Sequence, residues 1–308
     1  LVAGIVALLL CVPPQSVYSQ GVASDHVGTS SANFLKLGVG ARAAALGGAF
    51  VAIADDATAG YWNPAGLAQL SATELVFMHN DWYQDIKSEY LGAAFPLSHR
   101  MVVGLGVTYL DYGAFDSYDV NDQPVGSYSA NALAVSASGS LGINENLSIG
   151  VTGKVFTEKL EQSTATGYAV DAGALYRIGV VALGLNVTNL GDGLKRGTDA
   201  YPLPSSVSSG VAVAVFDGKV RLSSDLVKPG DNGVSMHQGI EYCYENTVFL
   251  RTGYSHLFGQ DLNDSQNGIA LGFGVRHSFG AVDYSYVPDK QTGDIHRLSF
   301  RVTFGGRH

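Results

Sequence analysis

Toward its C-terminus the chain alternates. Leu298, Phe300, Val302 and Phe304 are large and apolar, and Arg297, Ser299, Arg301 and Thr303 stand between them. A strand repeats every two residues, so this pattern puts the arginines on one face and the bulky apolar groups on the other. The same alternation recurs upstream. One face reads Met101, Val103, Leu105, Val107, Tyr109; another Leu147, Ile149, Val151, Val155; another Val181, Leu183, Leu185, Val187. Further on come Ile269, Leu271, Phe273, Val275 and then Val282, Tyr284, Tyr286. None of these positions is charged. Fourteen strands are predicted, near 72–80, 87–97, 100–112, 128–142, 146–160, 166–178, 180–190, 206–217, 218–227, 233–244, 246–258, 266–277, 279–288 and 295–304. Most exceed the ~5–6 residues of a soluble strand and suit the ~9–11 of a tilted membrane strand. An even number fits a bacterial single-chain barrel.

Connections alternate in length. Leu97-Ser98-His99, 142–145, Gly179, Asp217-Gly218, Glu245-Asn246 and 278–280 are tight, whereas 81–86, 113–127, 160–165, 191–205, 228–232, 259–265 and 289–294 are longer and more polar. Short periplasmic turns and long external loops are the outer-membrane pattern, and they put the end of the last strand on the periplasmic side. A soluble sandwich would show the same period with its faces inverted. Strand length, strand number and loop alternation decide for lipid outside. A lipid-facing Lys or Arg costs ~2–4 kcal/mol at mid-bilayer, which accounts for the uncharged faces.

The front of the chain is different. Residues 1–10 are an apolar run, followed by Pro13-Pro14 and Val17-Tyr18-Ser19. This has the form of a secretory signal with cleavage after Ser19; lipidation at Cys11 is the weaker alternative, because leucines precede that residue. Residues 20–70 then read as an N-terminal plug and 71–308 as the barrel. The plug is rich in Gly and Ala between Gly38 and Gly60, which allows close backbone packing in a confined lumen. Its Asn63-Pro64-Ala65-Gly66 motif pairs an N-cap residue with Pro at the first helical position, so a short helix is expected over about 64–69. The fold class is all-β: a fourteen-stranded antiparallel transmembrane barrel with an N-terminal plug containing a short helix.

Composition narrows the chemistry. The net charge of −9 and the lack of a basic cluster argue against nucleic acid. With Cys11 removed, Cys243 stands alone, so neither a disulfide nor a cysteine metal site is expected. Neither a nucleophile elbow, a His-Glu-x-x-His helix nor a phosphate loop occurs, so no enzyme activity, cofactor or metal is expected. The 261–265 segment faintly resembles a calcium loop but lacks its glycine and terminal glutamate.

Polar residues opposite the apolar faces are the candidate lumen lining: Lys154, Asp171, Arg177, His237, Glu241, Arg251, Arg276, Asp283, Arg297 and Arg301. The plain expectation is that they pair with one another. His237 and Glu241 share a face but lie roughly 13 Å apart along a strand, too far for one acid–base pair. Tyr112, Phe115 and Tyr118, with Trp82 and Tyr83, fall beside the upper strand ends. They read either as an interfacial girdle or as contacts for a partner.

The segment Phe34-Leu35-Lys36-Leu37-Gly38-Val39-Gly40-Ala41-Arg42, the Ala54-Asp55-Asp56-Ala57 stretch and Trp62-Asn63-Pro64-Ala65-Gly66-Leu67 resemble the start of the PorV/PorQ family, within the FadL-like outer-membrane proteins. The motif resemblance covers about residues 31–70. It implies a plugged barrel and, in some members, an accessory role in type IX secretion, with exported cargo or secretion-system proteins as partners. The wider superfamily implies a different function: import of hydrophobic small molecules, such as long-chain fatty acids, by way of an apolar pocket above the plug and lateral release into lipid. A purely structural barrel has no residue evidence of its own.

Overall fold

A computed structural model of the chain describes residues 28–82, 86–161, 163–196, 199–258, 268–288 and 293–305. The expected signal segment 1–19, Tyr83 and the calcium-like 261–265 stretch lie outside them. Sixteen strands follow in chain order: β1 (Thr73–Asp81), β2 (Lys87–Pro96), β3 (Met101–Tyr118), β4 (Pro124–Gly142), β5 (Leu147–Leu160), β6 (Ser163–Ile178), β7 (Val181–Leu190), β8 (Leu194–Arg196), β9 (Asp199–Tyr201), β10 (Ser206–Val215), β11 (Val220–Pro229), β12 (Ser235–Tyr244), β13 (Val248–Leu257), β14 (Gly268–His277), β15 (Gly280–Val287) and β16 (Ile295–Phe304). Fourteen of them close a barrel, each antiparallel to its chain neighbours, with β7 pairing β10 and β1 pairing β16. Closure satisfies every edge, the condition for backbone in hydrocarbon.

The side chains sort as the alternation requires. Leu105, Ile149, Val151, Leu183, Leu185, Leu271, Phe273 and Phe300 are exposed on the outer wall, whereas Asp171, Asp225, Glu241, Arg251 and Asp283 are buried within. Outside charge occurs toward the external rim, where His79 of β1 lies 2.6 Å from Glu89 of β2.

Two external connections depart from expectation. Residues 113–127 are mostly strand, since β3 and β4 run on together past the end of β2. A bulge between Asp111 and Ala114 restarts the pairing, which then continues from Ala114–Ser129 to Tyr118–Pro124. Gly113, at φ 78°, supplies the left-handed turn at the bulge. Strand propensity in Tyr112, Phe115 and Tyr118 carries the pairing past β2, and the two strands support each other without a third. Inside the 191–205 connection, β8 and β9 form a separate two-stranded sheet.

Residues 28–70 fill the lumen. They comprise a 3₁₀ turn at Asn33–Lys36, helices at Ala41–Ala45 and Ala59–Trp62, and a second 3₁₀ turn at Pro64–Gln69. The helix expected after Asn63 therefore forms as 3₁₀; the Asn63 side chain accepts from Ala65 N–H at 3.2 Å. Two apolar clusters hold the plug. The first joins Leu46, Phe50, Ile53 and Leu67 to the wall at Val76, Met78, Tyr90 and Val102. The second, nearer the outer rim, joins Phe34 and Leu35 to Leu110, Phe156, Leu194 and Leu203. Wall glycines open the space: a Cβ on Gly150 would strike Pro64 backbone, and one on Gly173 would strike Asn63 Oδ1.

Candidate functional site

The lumen holds a charged latch below and an apolar pocket above. Arg42, on the helix Ala41–Ala45, centres the latch. Its Nε and Nη2 donate to Glu241 Oε2 and Oε1 at 2.9 and 3.0 Å, and its Nη1 donates to Asp55 at 2.5 Å and Asp56 at 3.3 Å. Arg251 donates to Glu241 and to Asp283, both at 2.7 Å, and Arg221 reaches Asp55 at 2.9 Å. Arg301 is more distant, 3.7 Å from Asp56. The fork of Arg42 matches the Glu241 carboxylate bidentately, and most of these groups are dry. Burial alone would raise the Asp55 carboxyl, but Arg42 and Arg221 outweigh it and hold it below the ordinary range. Thr58 Oγ1 donates to Asp56, which ties the second acid to the following plug helix.

Asn63 joins plug and wall. It is fully buried, and its Nδ2 donates to Val51 O at 2.9 Å and to Ala174 O of β6 at 3.2 Å. Pro64, Ala65 and Gly66 are buried beside it; Ser140 and Ser148 of the wall both donate to Ala65 O, at 3.0 and 2.9 Å. Asp225, which is completely buried, accepts from Val51 N–H at 2.8 Å. Arg177 faces the plug at the exposed periplasmic rim and donates to Gln69 at 2.9 Å. Arg297 donates to Asn80 at 3.2 Å. Arg276 stacks over the Phe249 ring, 4.5 Å from its centroid.

Above the latch lies a cavity of about 260 Å³. Leu35, Val51, Tyr61 and Trp62 of the plug line one side, and Thr188, Pro204, Val227, Pro229 and His237 line the other. His237 is neither free nor paired with Glu241: Nδ1 lies 2.6 Å from Gly47 O and Nε2 lies 3.0 Å from Ser235 Oγ. Both cations in the lining are compensated. Lys154 meets Asp171 at 2.6 Å and Asn189 Oδ1 at 2.9 Å; Lys36 meets Asp231 at 2.7 Å.

That lysine group also holds a fault in the wall. Between β6 and β7 the register passes from Ala172–Val187 to Val170–Leu190, so Thr188 and Asn189 share one partner, Asp171. Asn189 is left-handed at φ 56°, and its N–H donates to Asp171 Oδ1 at 2.7 Å. Thr188 and Asn189 also line the cavity, so the bulge and the pocket coincide.

The three aromatic residues at the upper strand ends separate. Tyr112 packs against the outer apolar cluster in the lumen. Phe115 stacks on Tyr128 at 5.4 Å, and Tyr118 stands exposed near the tip of the β3–β4 extension. Phe115 and Tyr118 both lie beyond the last β2 pairing, at Lys87–Asp111. Sequence reasoning missed Arg42, Asp55 and Asp56 as latch members, although that acidic pair and the plug's arginine were its visible signal. It also missed Lys36, Asn189 and Asp231.

Known structures share this architecture. The CymD monoaromatic hydrocarbon channel superposes with a TM-score of 0.65 at 14% identity, covering 88% of this chain and 99% of that one. The toluene transporter TodX of Pseudomonas putida gives 0.63 at 14%, covering 86% and 97%, and a Pseudomonas aeruginosa FadL homologue gives 0.56 at 14%, covering 83% and 96%. At such identity the likeness establishes the fold alone: a closed fourteen-stranded antiparallel barrel of the kind these bacterial outer-membrane channels have. No curated protein matches the chain in sequence. The model of the uncharacterised protein family UPF0164 matches residues 14–187, from ahead of the plug to strand β7. With more than half its length matched, the plug included, the chain belongs to the UPF0164 family.

Proposed function

We propose that this barrel is a channel, not an enzyme, that carries a compact uncharged apolar molecule across the outer membrane. One observation carries the reading: the cavity over the plug presents mainly apolar surface from Leu35, Val51, Tyr61, Trp62, Pro204 and Val227, its polar lining at Asn186, Thr188, Ser206 and Ser208 is uncharged, and both of its cations are already neutralised by carboxylates. A fatty carboxylate would have to compete with Asp171 or Asp231 for its counter-ion. An uncharged ring meets no such competition and gains ~25 cal/mol for each Å² of apolar surface removed from water. Size points the same way. A cavity of ~150 Å³ accepts benzene, so 260 Å³ suits a substituted ring better than a long acyl chain. The structural neighbours named for toluene and monoaromatic hydrocarbons support this reading.

The exit is sideways, through the β6–β7 bulge. A disulfide there tests it. Val170 and Leu190 are directly paired and both face lipid, within the ~4.4–6.8 Å Cα range a disulfide accepts. In a Cys243→Ser background, oxidised Val170→Cys/Leu190→Cys is expected to slow uptake of labelled toluene by cells whose outer membrane carries the barrel, to the level of cells without it, and reduction to restore it. Filling the pocket with Thr188→Trp is expected to abolish toluene binding. Undiminished uptake by the oxidised cysteine pair together with undiminished toluene binding by Thr188→Trp would refute the reading.

A second reading, a PorV/PorQ-type accessory of type IX secretion, is favoured by the β3–β4 extension. Residues 112–118 of β3 stand beyond β2 by roughly 20 Å at the usual strand rise. This ribbon exposes Phe115, Tyr118, Val120 and Val125 with Asp116, Asp119 and Asp122, and no Lys or Arg lies between 110 and 131. Removing residues 113–127 would then abolish surface display of exported cargo. Unchanged display counts against it.

A further inference from the structure

Two arginines of the lower lumen have no carboxylate at hydrogen-bond length among the described residues, and they face the same mouth. Arg42, Arg221 and Arg251 each meet a carboxylate within 3.0 Å. Arg301 lies 3.7 Å from Asp56 and 4.0 Å from Glu74, beyond hydrogen-bond length. Arg276 has no carboxylate within reach among the described residues; its guanidinium is held flat against Phe249 at 4.5 Å. Their placement is set by register. Arg276 pairs with Ala281 of β15, and Ala281 pairs with Arg301 of β16, so the arginines occupy one inward row with an alanine between them. Two strand spacings separate their backbones by roughly 10 Å, a gap both side chains can reach across above the small Ala281.

A cavity of about 320 Å³ opens over this row at the β14–β15 turn, on the periplasmic side, and Ser278 and Thr303 also line it. Three arginines line it against two carboxylates, Asp55 and Glu74. Those carboxylates are engaged: Asp55 by Arg42 and Arg221, and Glu74 Oε1 by the Ala57 N–H at 2.6 Å. Planar guanidinium forks with free donors are suited to carboxylate and phosphate geometry.

We propose that the periplasmic mouth is an oxyanion site, in which Arg276 and Arg301 close over one carboxylate or phosphate group above Ala281. The site is separate from the apolar pocket and does not depend on the transport reading. Its ligand is a free anion or the phosphate of a lipid headgroup.

The test is calorimetric titration of the purified full-length barrel in non-ionic detergent with inorganic phosphate and with benzoate, benzyl alcohol serving as the uncharged control. Saturable binding of an anion, weakened by added salt, is expected for the wild type, and no binding of the alcohol. Arg276→Gln removes no ion pair, so the variant keeps the fold; it should weaken anion binding at least tenfold, as should Arg301→Gln. Arg276→Lys should retain part of the affinity, and Arg177→Gln, at another part of the rim, should retain all of it. Repeating the titration in nanodiscs assigns the source. Loss of phosphate binding on adding phosphatidylglycerol identifies the headgroup as ligand, and retention identifies a soluble anion. Absence of saturable anion binding by the wild type would overturn the proposal, as would unaltered binding by both glutamine variants.

Discussion

Arg42 is the plug's most heavily ion-paired side chain, and its removal should loosen the plug while leaving the wall intact. Its side chain is 5% exposed and faces Glu241 at 5% and Asp56 at 6%. Replacing it by Gln withdraws one cation from three acceptors, Glu241, Asp55 and Asp56. Losing one partner of a buried ion pair costs about 3–5 kcal/mol. Glu241 keeps Arg251 at 2.7 Å and Asp55 keeps Arg221 at 2.9 Å, which places Arg42→Gln near the lower end of that range. About 3 kcal/mol is a change on the order of 100-fold in a local opening equilibrium. Hydrogen exchange reads it directly. The amides of Ala44, Gly48 and Ala54 bond to Gly40, Ala43 and Phe50 within the plug, and their exchange should accelerate by about that factor. Amides of β3 and β4, paired in the wall, should not change. Arg177→Gln is the control: its exposed single bond to Gln69 should contribute less than ~1 kcal/mol. Acceleration below about fivefold in Arg42→Gln, or equal acceleration in the wall, would refute the latch as the element that retains the plug.

The pH dependence of the latch follows from Asp55, whose native carboxyl titrates below the ordinary value near 3.9. A depressed native value stabilises above the unfolded one and is lost as pH falls through the native one. The stability gap between wild type and Asp55→Asn should therefore be constant from pH 7 to about 5 and shrink below about 4; a gap that grows on acidification contradicts this. Gly173→Val drives a side chain into Asn63 Oδ1 and should weaken plug docking by about 1–3 kcal/mol, seen as new protease cleavage between 40 and 60 with the barrel still closed. Lys154→Met leaves Asp171 buried without its cation and should cost about 3–5 kcal/mol in urea unfolding. Adding Asp171→Asn, which removes the charge but keeps an oxygen for the Asn189 N–H, should recover most of that loss, and failure to recover would refute the stranded charge as its cause.

Much of the wall was legible because its rules are local. Arg297, Ser299 and Arg301 had to share a face, since neighbouring side chains on a strand point oppositely, and they do line the lumen. The tight turns fell where Gly179 and Gly218, both at positive φ, bend the chain. The β3–β4 extension was less legible: Asp116, Asp119 and Asp122 read as loop, yet a two-stranded ribbon carries them without needing a core. Tyr112, Phe115 and Tyr118 belong to one run, but their environments depend on where β2 ends.

The order of residues along the chain determined a closed sheet with lipid outside and polar groups within, because period-two alternation and strand length are properties of short segments. Only the tertiary structure decided which charges meet. Arg42 and Glu241 stand 199 residues apart, Lys36 and Asp231 195, and no pattern within a strand can report a partner brought in by closing the cylinder around its own plug. That closure committed Arg42, Arg221 and Arg251 to carboxylates, left Arg276 without one among the described residues, and placed the β6–β7 bulge beside the upper cavity.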